Sequence, residues 1–160
     1  VFPKGDVSMT VDTTFNISIP SDSDGFIFLQ CTLCGEYFKL TLKDLEDESQ
    51  LHVWCPKCGL TPDSLFTDEV IELAMKIVHN HVSDLLNDFG KNLSKSSKNG
   101  SVKFKSVSKI KKDPVDPIIS KLDNLELQIY DCCHKEAKIS PSLKMEGGYC
   151  PFCGEMQDGD

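Results

Sequence analysis

Trp54-Cys55-Pro56-Lys57-Cys58-Gly59 returns near the far end of the chain as Tyr149-Cys150-Pro151-Phe152-Cys153-Gly154. Each copy is an aromatic residue followed by Cys-Pro-x-Cys-Gly. Two cysteines three apart in one tight turn can aim both thiolates at a single ion. The glycine permits the positive φ that such a turn needs, and the proline stiffens its start. Each turn supplies half of a tetrahedral site, so each needs a partner pair upstream.

The first partner is Cys31-Thr32-Leu33-Cys34-Gly35, with twenty residues between Cys34 and Cys55. A C-x2-C pair, ~15–20 residues and a second C-x2-C is the spacing of a zinc site with four thiolate ligands. The second partner is irregular, Cys132-Cys133-His134, followed by Lys135 and Glu136 where a soft ligand would otherwise fall. Sixteen residues separate Cys133 from Cys150. The preferred second set is Cys132, Cys133, Cys150 and Cys153. His134 in place of one adjacent cysteine is the alternative, and Cys132 or Cys133 as a plain buried thiol is a third reading. Two Zn2+ per chain are expected.

Eight cysteines in 160 residues signal either a disulfide framework or metal ligation. Here they are bunched in four pairs and absent from the long middle of the chain, which favours metal. Four thiolates close a zinc site, whereas catalytic zinc keeps a position for water. Both sites are therefore expected to be structural, and the chain is not expected to be an enzyme. His79 and His81 are two apart and cannot form the i, i+4 pair of a helical metal site. Asp84 and Asp88 suit an exposed acidic face. The G-x-S-x-G, G-x-x-x-x-G-K-[ST] and G-x-G-x-x-G patterns are all absent.

Both halves resemble zinc ribbons of the rubredoxin-like and TFIIB-type transcription-factor kind, in which two Cys-rich knuckles at hairpin tips clamp one ion. The whole chain is also similar to uncharacterised bacterial proteins in which a Cys-x-x-Cys ribbon, a helix and a terminal Cys-Pro-x-Cys-Gly ribbon succeed one another. The resemblance implies a fold and leaves activity unspecified.

Between the sites, Thr67 suits an N-cap and Gly90 a C-terminal stop, with Asp68 and Glu69 at the positive end of the dipole. Ile71, Ala74, Met75, Val78, Val82, Leu85, Leu86 and Phe89 make an apolar stripe at helical spacing. A helix of this length exceeds what one knuckle can cover. It should pack on the second half of the chain or on another copy. Phe15 to Ile19, Phe26 to Gln30, Tyr37 to Leu40, Leu51 to Trp54 and Leu125 to Ile129 read as strands. Ala137 and Ile139 continue the pattern beyond the second cysteine pair.

The fold class expected is small α+β and metal-bound: two zinc β-ribbons connected by one long helix and a Lys-rich linker. The divisions are a flexible tail 1–13, a first ribbon 14–66, the helix 67–90, a basic linker 91–124 with one strand, and a second ribbon 125–160. Residues 1–8, ahead of Met9, carry no structural expectation.

The net charge is −8, yet residues 91–112 hold eight lysines and no acid, leaving nine lysines against all 25 acidic residues elsewhere. Lys103, Phe104, Lys105, Lys109, Lys111 and Lys112 are candidate nucleic-acid contacts. The acidic remainder and the complete lack of Arg weaken that reading. The leading expectation is a protein-interaction module, with self-association or a protein partner through the 67–90 helix. Nucleic-acid or transcription-related binding comes second and a rubredoxin-like iron carrier third. No membrane segment, secretory leader or small-molecule substrate is evident, and the cysteine usage suits the cytoplasm.

Overall fold

The structure, a computed structural model, describes residues 17–96, 108–119 and 123–159. Two β-hairpins lie at its centre. Strands β1 (Phe26–Gln30) and β2 (Tyr37–Thr41) pair antiparallel from Phe26↔Thr41 to Gln30↔Tyr37. Strands β3 (Glu126–Tyr130) and β4 (Lys135–Ile139) pair likewise from Glu126↔Ile139 to Tyr130↔Lys135. The hairpins join edge to edge in the order β1-β2-β4-β3, with Lys39 opposite Lys138 where β2 meets β4. Equivalent strands of the two halves thus meet antiparallel, an approximate two-fold relation. The two hairpins form one four-stranded sheet.

Alternation along the strands decides the faces. Ile27, Leu29, Phe38, Leu40, Ala137 and Ile139 point into one core, joined by Tyr130, Leu143 and Phe152 and by Cys31, Cys55 and Cys150. Burying this set from water is the main apolar contribution to the fold. Leu127 and Ile129 located a strand correctly, but both sit on its outer side and are exposed. Tyr130, of opposite parity, is the residue that β3 commits to the core.

The opposite face carries a part-buried ionic group around the buried Lys39. Lys39 Nζ lies 3.1 Å from Asp22 and 2.6 Å from Asp123, and Lys138 Nζ lies 2.8 Å from Asp22 and 2.6 Å from Asp24. Two ammonium groups directly across a strand pair would repel, and Asp22 between them removes that repulsion. Burial raises the Asp22 pKa. Hydrogen bonds from Lys138, the Phe26 N–H, Lys39 and the Asp24 N–H outweigh this and hold the carboxyl far below its ordinary range. A depressed carboxylate stabilises the fold above its unfolded pKa of ~4 and loses that effect only as pH falls toward the folded value. Asp22→Asn should therefore cost about 2 kcal/mol at neutral pH, between the scales for a surface pair and for breaking a buried one. Urea unfolding of metal-loaded protein at pH 7 checks this; a shift under about 0.5 kcal/mol would make the group a mere surface cluster.

Helix α1 (Leu42–Leu45) and helix α3 (Pro141–Glu146) each follow the second strand of a hairpin, a matched pair that the sequence reading missed. Strands β5 (Gly148–Tyr149) and β6 (Met156–Gln157) flank the last cysteine turn. Of the strand expected over 15–19, residues 15 and 16 lie outside the described residues and 17–20 form no strand; beside them Ser21↔Ile27 is an isolated bridge. Leu51 to Trp54 is irregular too.

Helix α2 spans Asp68–Ser96, 29 residues and roughly 43 Å at 1.5 Å per residue. It passes through Gly90, so the expected stop there and the expected linker beginning at 91 are both corrected. Glycine inside a helix costs ~1 kcal/mol, a preference that context routinely overrides. Here Lys91 Nζ bonds Asp88 at 2.7 Å and Ser94 Oγ donates to the Gly90 carbonyl at 2.8 Å.

One side of α2 is held by the segment 108–119. Asn80 Nδ2 donates to the Asp113 carbonyl at 2.9 Å, and the Asp113 N–H donates to Asn80 Oδ1 at 2.7 Å. Asn87 treats Ile110 in the same way, at 3.1 and 2.9 Å. The dimensions explain the match. Seven helical residues rise about 10.5 Å, and three extended residues span about 10 Å. The segment therefore runs antiparallel to α2, reinforced by His79 Nδ1 to Asp113 at 2.8 Å and Lys112 to Asp84 at 2.7 Å.

Candidate metal centres

Three of the four cysteine turns share one backbone. The N–H of the first cysteine donates to the carbonyl five residues on: Cys31 to Glu36 at 2.9 Å, Cys55 to Leu60 and Cys150 to Glu155 at 2.8 Å. The N–H of the glycine four residues on returns to the first cysteine's carbonyl: Gly35 to Cys31 and Gly154 to Cys150 at 2.8 Å, Gly59 to Cys55 at 2.9 Å. Those glycines have φ of +78°, +77° and +67°.

The fourth turn keeps the backbone and moves a ligand. His134 N–H donates to the Tyr130 carbonyl at 2.8 Å, and His134 has φ +53°. Tyr130 thus occupies the place of a first cysteine and His134 the place of the glycine. Cys133 matches the usual second cysteine, and Cys132 supplies from the middle of the turn the thiol that Tyr130 lacks. This explains the Cys-Cys-His irregularity. Tyr130 goes into the core instead, edge-on to Phe152 with ring centroids 6.3 Å apart. Its phenol pKa is pushed upward by burial, with thiolate charge at Cys150 and Cys132 adding to the shift.

Two clusters result. Cys31, Cys34, Cys55 and Cys58 converge between the β1–β2 tip and the Cys55–Gly59 turn. Cys132, Cys133, Cys150 and Cys153 converge between the β3–β4 tip and the Cys150–Gly154 turn. Within each, all four Sγ atoms lie within 4.8 Å of one another. Among these, Cys34–Cys55 lie 3.5 Å apart, Cys31–Cys58 3.9 Å and Cys132–Cys153 3.4 Å. A tetrahedron with metal–sulfur bonds of ~2.3 Å has edges of about 3.8 Å, so both clusters could hold an ion. The separations are far longer than a disulfide bond, and all eight thiols are free.

His134 is exposed and lies outside the second cluster. Its part is the positive φ, which a glycine adopts without strain. His134→Gly should retain full metal content and equal or exceed the parent in thermal stability. Loss of one ion per chain on plasma emission analysis would restore it as a ligand.

The thiols are set unequally. Burial raises every cysteine discussed here, but at Cys31 the N–H groups of Cys34 and Leu33 outweigh it and lower the pKa. At Cys153 the Glu155 N–H and the neighbouring thiols do the same. Burial dominates at Cys34, Cys55 and Cys150, pushing them up, and takes Cys133 up to about 11. Without a cation each cluster thus keeps at least two protonated thiols near neutral pH. A bound ion must displace those protons, so affinity rises with pH. Metal retention against a chelator should fall steeply from about pH 8 to pH 5, with several protons taken up per ion lost. A flat profile would contradict thiolate ligation.

The centres touch each other. The Trp54 N–H donates to the Pro151 carbonyl at 3.0 Å, and the Tyr149 N–H donates to the Pro56 carbonyl at 2.8 Å. The aromatic residue before each Cys-Pro-x-Cys-Gly turn also covers the glycine of the other. A Cβ on Gly59 would lie 2.9 Å from the Tyr149 ring, and one on Gly154 would lie 2.8 Å from Trp54 Nε1. Glycine is required twice over at both positions, for its φ and for this approach.

Of the candidate nucleic-acid residues, Lys103, Phe104 and Lys105 lie outside the described residues. Lys109, Lys111 and Lys112 are exposed on the segment along α2, where Lys112 pairs with Asp84. No described helix is long and apolar enough to cross a membrane.

Fold and centres together define a small α+β protein with two four-cysteine groups able to hold metal, compatible with a pair of zinc ribbons. No protein-family model, curated protein or solved structure matches the chain.

Proposed function

We propose that the chain is a non-enzymatic scaffold in which two structural zinc ions fix the double-hairpin body, and from which α2 presents an apolar surface to a protein. The carrying observation is the state of α2. Its polar side is strapped by residues 108–119, while Met75, Leu85, Leu86 and Phe89 on the other side are each more than half exposed. Thiolates are soft ligands suited to zinc, and a site closed by four of them leaves no position for substrate. The nucleic-acid alternative rests on the lysines of 91–112, of which Lys91 and Lys112 are engaged with Asp88 and Asp84. It predicts salt-dependent binding that is lost when those lysines are neutralised.

The test compares tagged wild-type chain with a Val82→Lys, Leu85→Lys double variant, both loaded with metal and expressed in the source cells. The wild type should retain a protein, its own copy or another, that the variant loses at unchanged metal content. Identical retention by both would refute the reading. Metal analysis of the same material distinguishes colourless zinc from coloured iron.

A further inference from the structure

The exposed face of α2 has a finer order than amphipathicity requires. Ile71, Met75, Val78, Val82, Leu85 and Phe89 follow one another at intervals of four, three, four, three and four, the a/d pattern of a heptad seam sustained over ~27 Å of helix. Their exposures run from 38% at Ile71 to 68% at Met75. Asn80 lies nine residues from Ile71, half a turn of the wheel away at ~100° per residue, so the strap sits directly behind the seam and leaves it uncovered.

We propose, building on the interaction reading above, that a second copy of this chain covers the seam as an antiparallel two-helix coiled coil centred on Asn80. Three observations select this occupant. The first is area. With neighbouring Leu86, the seam exposes on the order of 700 Å² per chain, beyond the ~300–600 Å² typical of the largest patch on a lone monomer. It is close to the ~800 Å² per partner of a stable interface. The second is symmetry. Reversing the helix about residue 80 places Ile71 against Phe89, Met75 against Leu85 and Val78 against Val82, so all six seam residues meet and none overhangs. In this register neither Glu72 nor Asp88 faces another carboxylate. The third is the position of the body. Val70, one residue before the seam, is buried and shares a cavity wall with Phe26, Phe28 and Lys39. A parallel pair would force two such bodies side by side at one end, whereas the antiparallel pair places them at opposite ends.

Sedimentation equilibrium of the metal-loaded full chain up to about 100 µM, a modest affinity requirement, should give twice the 17.8 kDa chain mass. Val82→Lys with Leu85→Lys should give the single mass with metal content and helical circular dichroism unchanged. Small-angle scattering of the dimer should show two bodies at the far ends of the particle. A wild-type monomer at the highest concentration overturns the proposal, as does a dimer that survives the double variant or one with its bodies side by side. A wild-type monomer that still loses a different bound protein on the double substitution overturns self-association alone and leaves the interaction reading standing.

Discussion

Cys55→Ser should abolish metal binding at the first centre and unfold most of the chain. Cys55 is fully buried, its Sγ accepts the Lys57 N–H at 3.4 Å, and it belongs to the same core cluster as Phe38 and Ile139. A serine hydroxyl is a poor ligand for a soft site and a costly group to bury there. Structural zinc contributes ~10–16 kcal/mol of apparent binding energy in small modules, comparable to the whole 5–15 kcal/mol of an ordinary domain. The effect should spread, because the first centre's turn donates to and accepts from the second. Chelation of both ions should have the same outcome. Far-ultraviolet circular dichroism and metal analysis on the purified variant decide it. A variant that keeps its sheet and its second ion would show the centres to be independent.

The second large effect is expected at Gly154. An alanine there meets a φ of +77° and places a Cβ 2.8 Å from the Trp54 indole. Left-handed backbone costs a non-glycine residue ~1–2 kcal/mol and overpacking a further ~1–3, so the expected loss is about 3 kcal/mol. Gly35 is an internal control. Its φ is +78°, nearly the same, but nothing lies within 4 Å of its would-be Cβ. Gly35→Ala should therefore cost only the backbone strain. The difference between the two variants in thermal unfolding isolates the contact between the centres. Equal shifts would mean that Trp54 yields freely and that the contact carries little energy.

These expectations show which parts of the fold local sequence encodes. Three of the four cysteine turns, the four main strands and the start of α2 each follow from residues within a few positions of one another and are legible in the sequence. The pairing of β2 with β4 does not. It joins residues about a hundred positions apart through main-chain groups that every residue carries, so no side-chain pattern announces it. The outer placement of Leu127 and Ile129 was hidden for a related reason. Parity along a strand is visible in sequence, but which parity faces the core is fixed by the partners. Gly90 is ambiguous in sequence because a glycine can end a helix or merely weaken it, and no residue within one turn of it announces which.

The second centre is the more instructive case. Its four cysteines, grouped together on sequence, converge in space, and the reason for Cys132-Cys133-His134 lies in backbone hydrogen bonding. A tyrosine taking the first position of a cysteine turn has no precedent within the other three turns of this chain. The only local hint was His134 where the other turns have glycine. The asparagine clasp on residues 108–119 was missed as well. Asn80 and Asn87 look like ordinary polar positions until the spacing of three extended residues is set against two helical turns.

The Trp54–Pro151 and Tyr149–Pro56 hydrogen bonds tie the two cysteine clusters together, so the two are expected to fold and load metal as one unit. Native mass spectrometry of apoprotein titrated with zinc measures this directly. It should show chiefly metal-free and two-zinc chains at half saturation, with two ions per chain at the end point. A dominant one-zinc species at half saturation, or an end point of one ion, would contradict it.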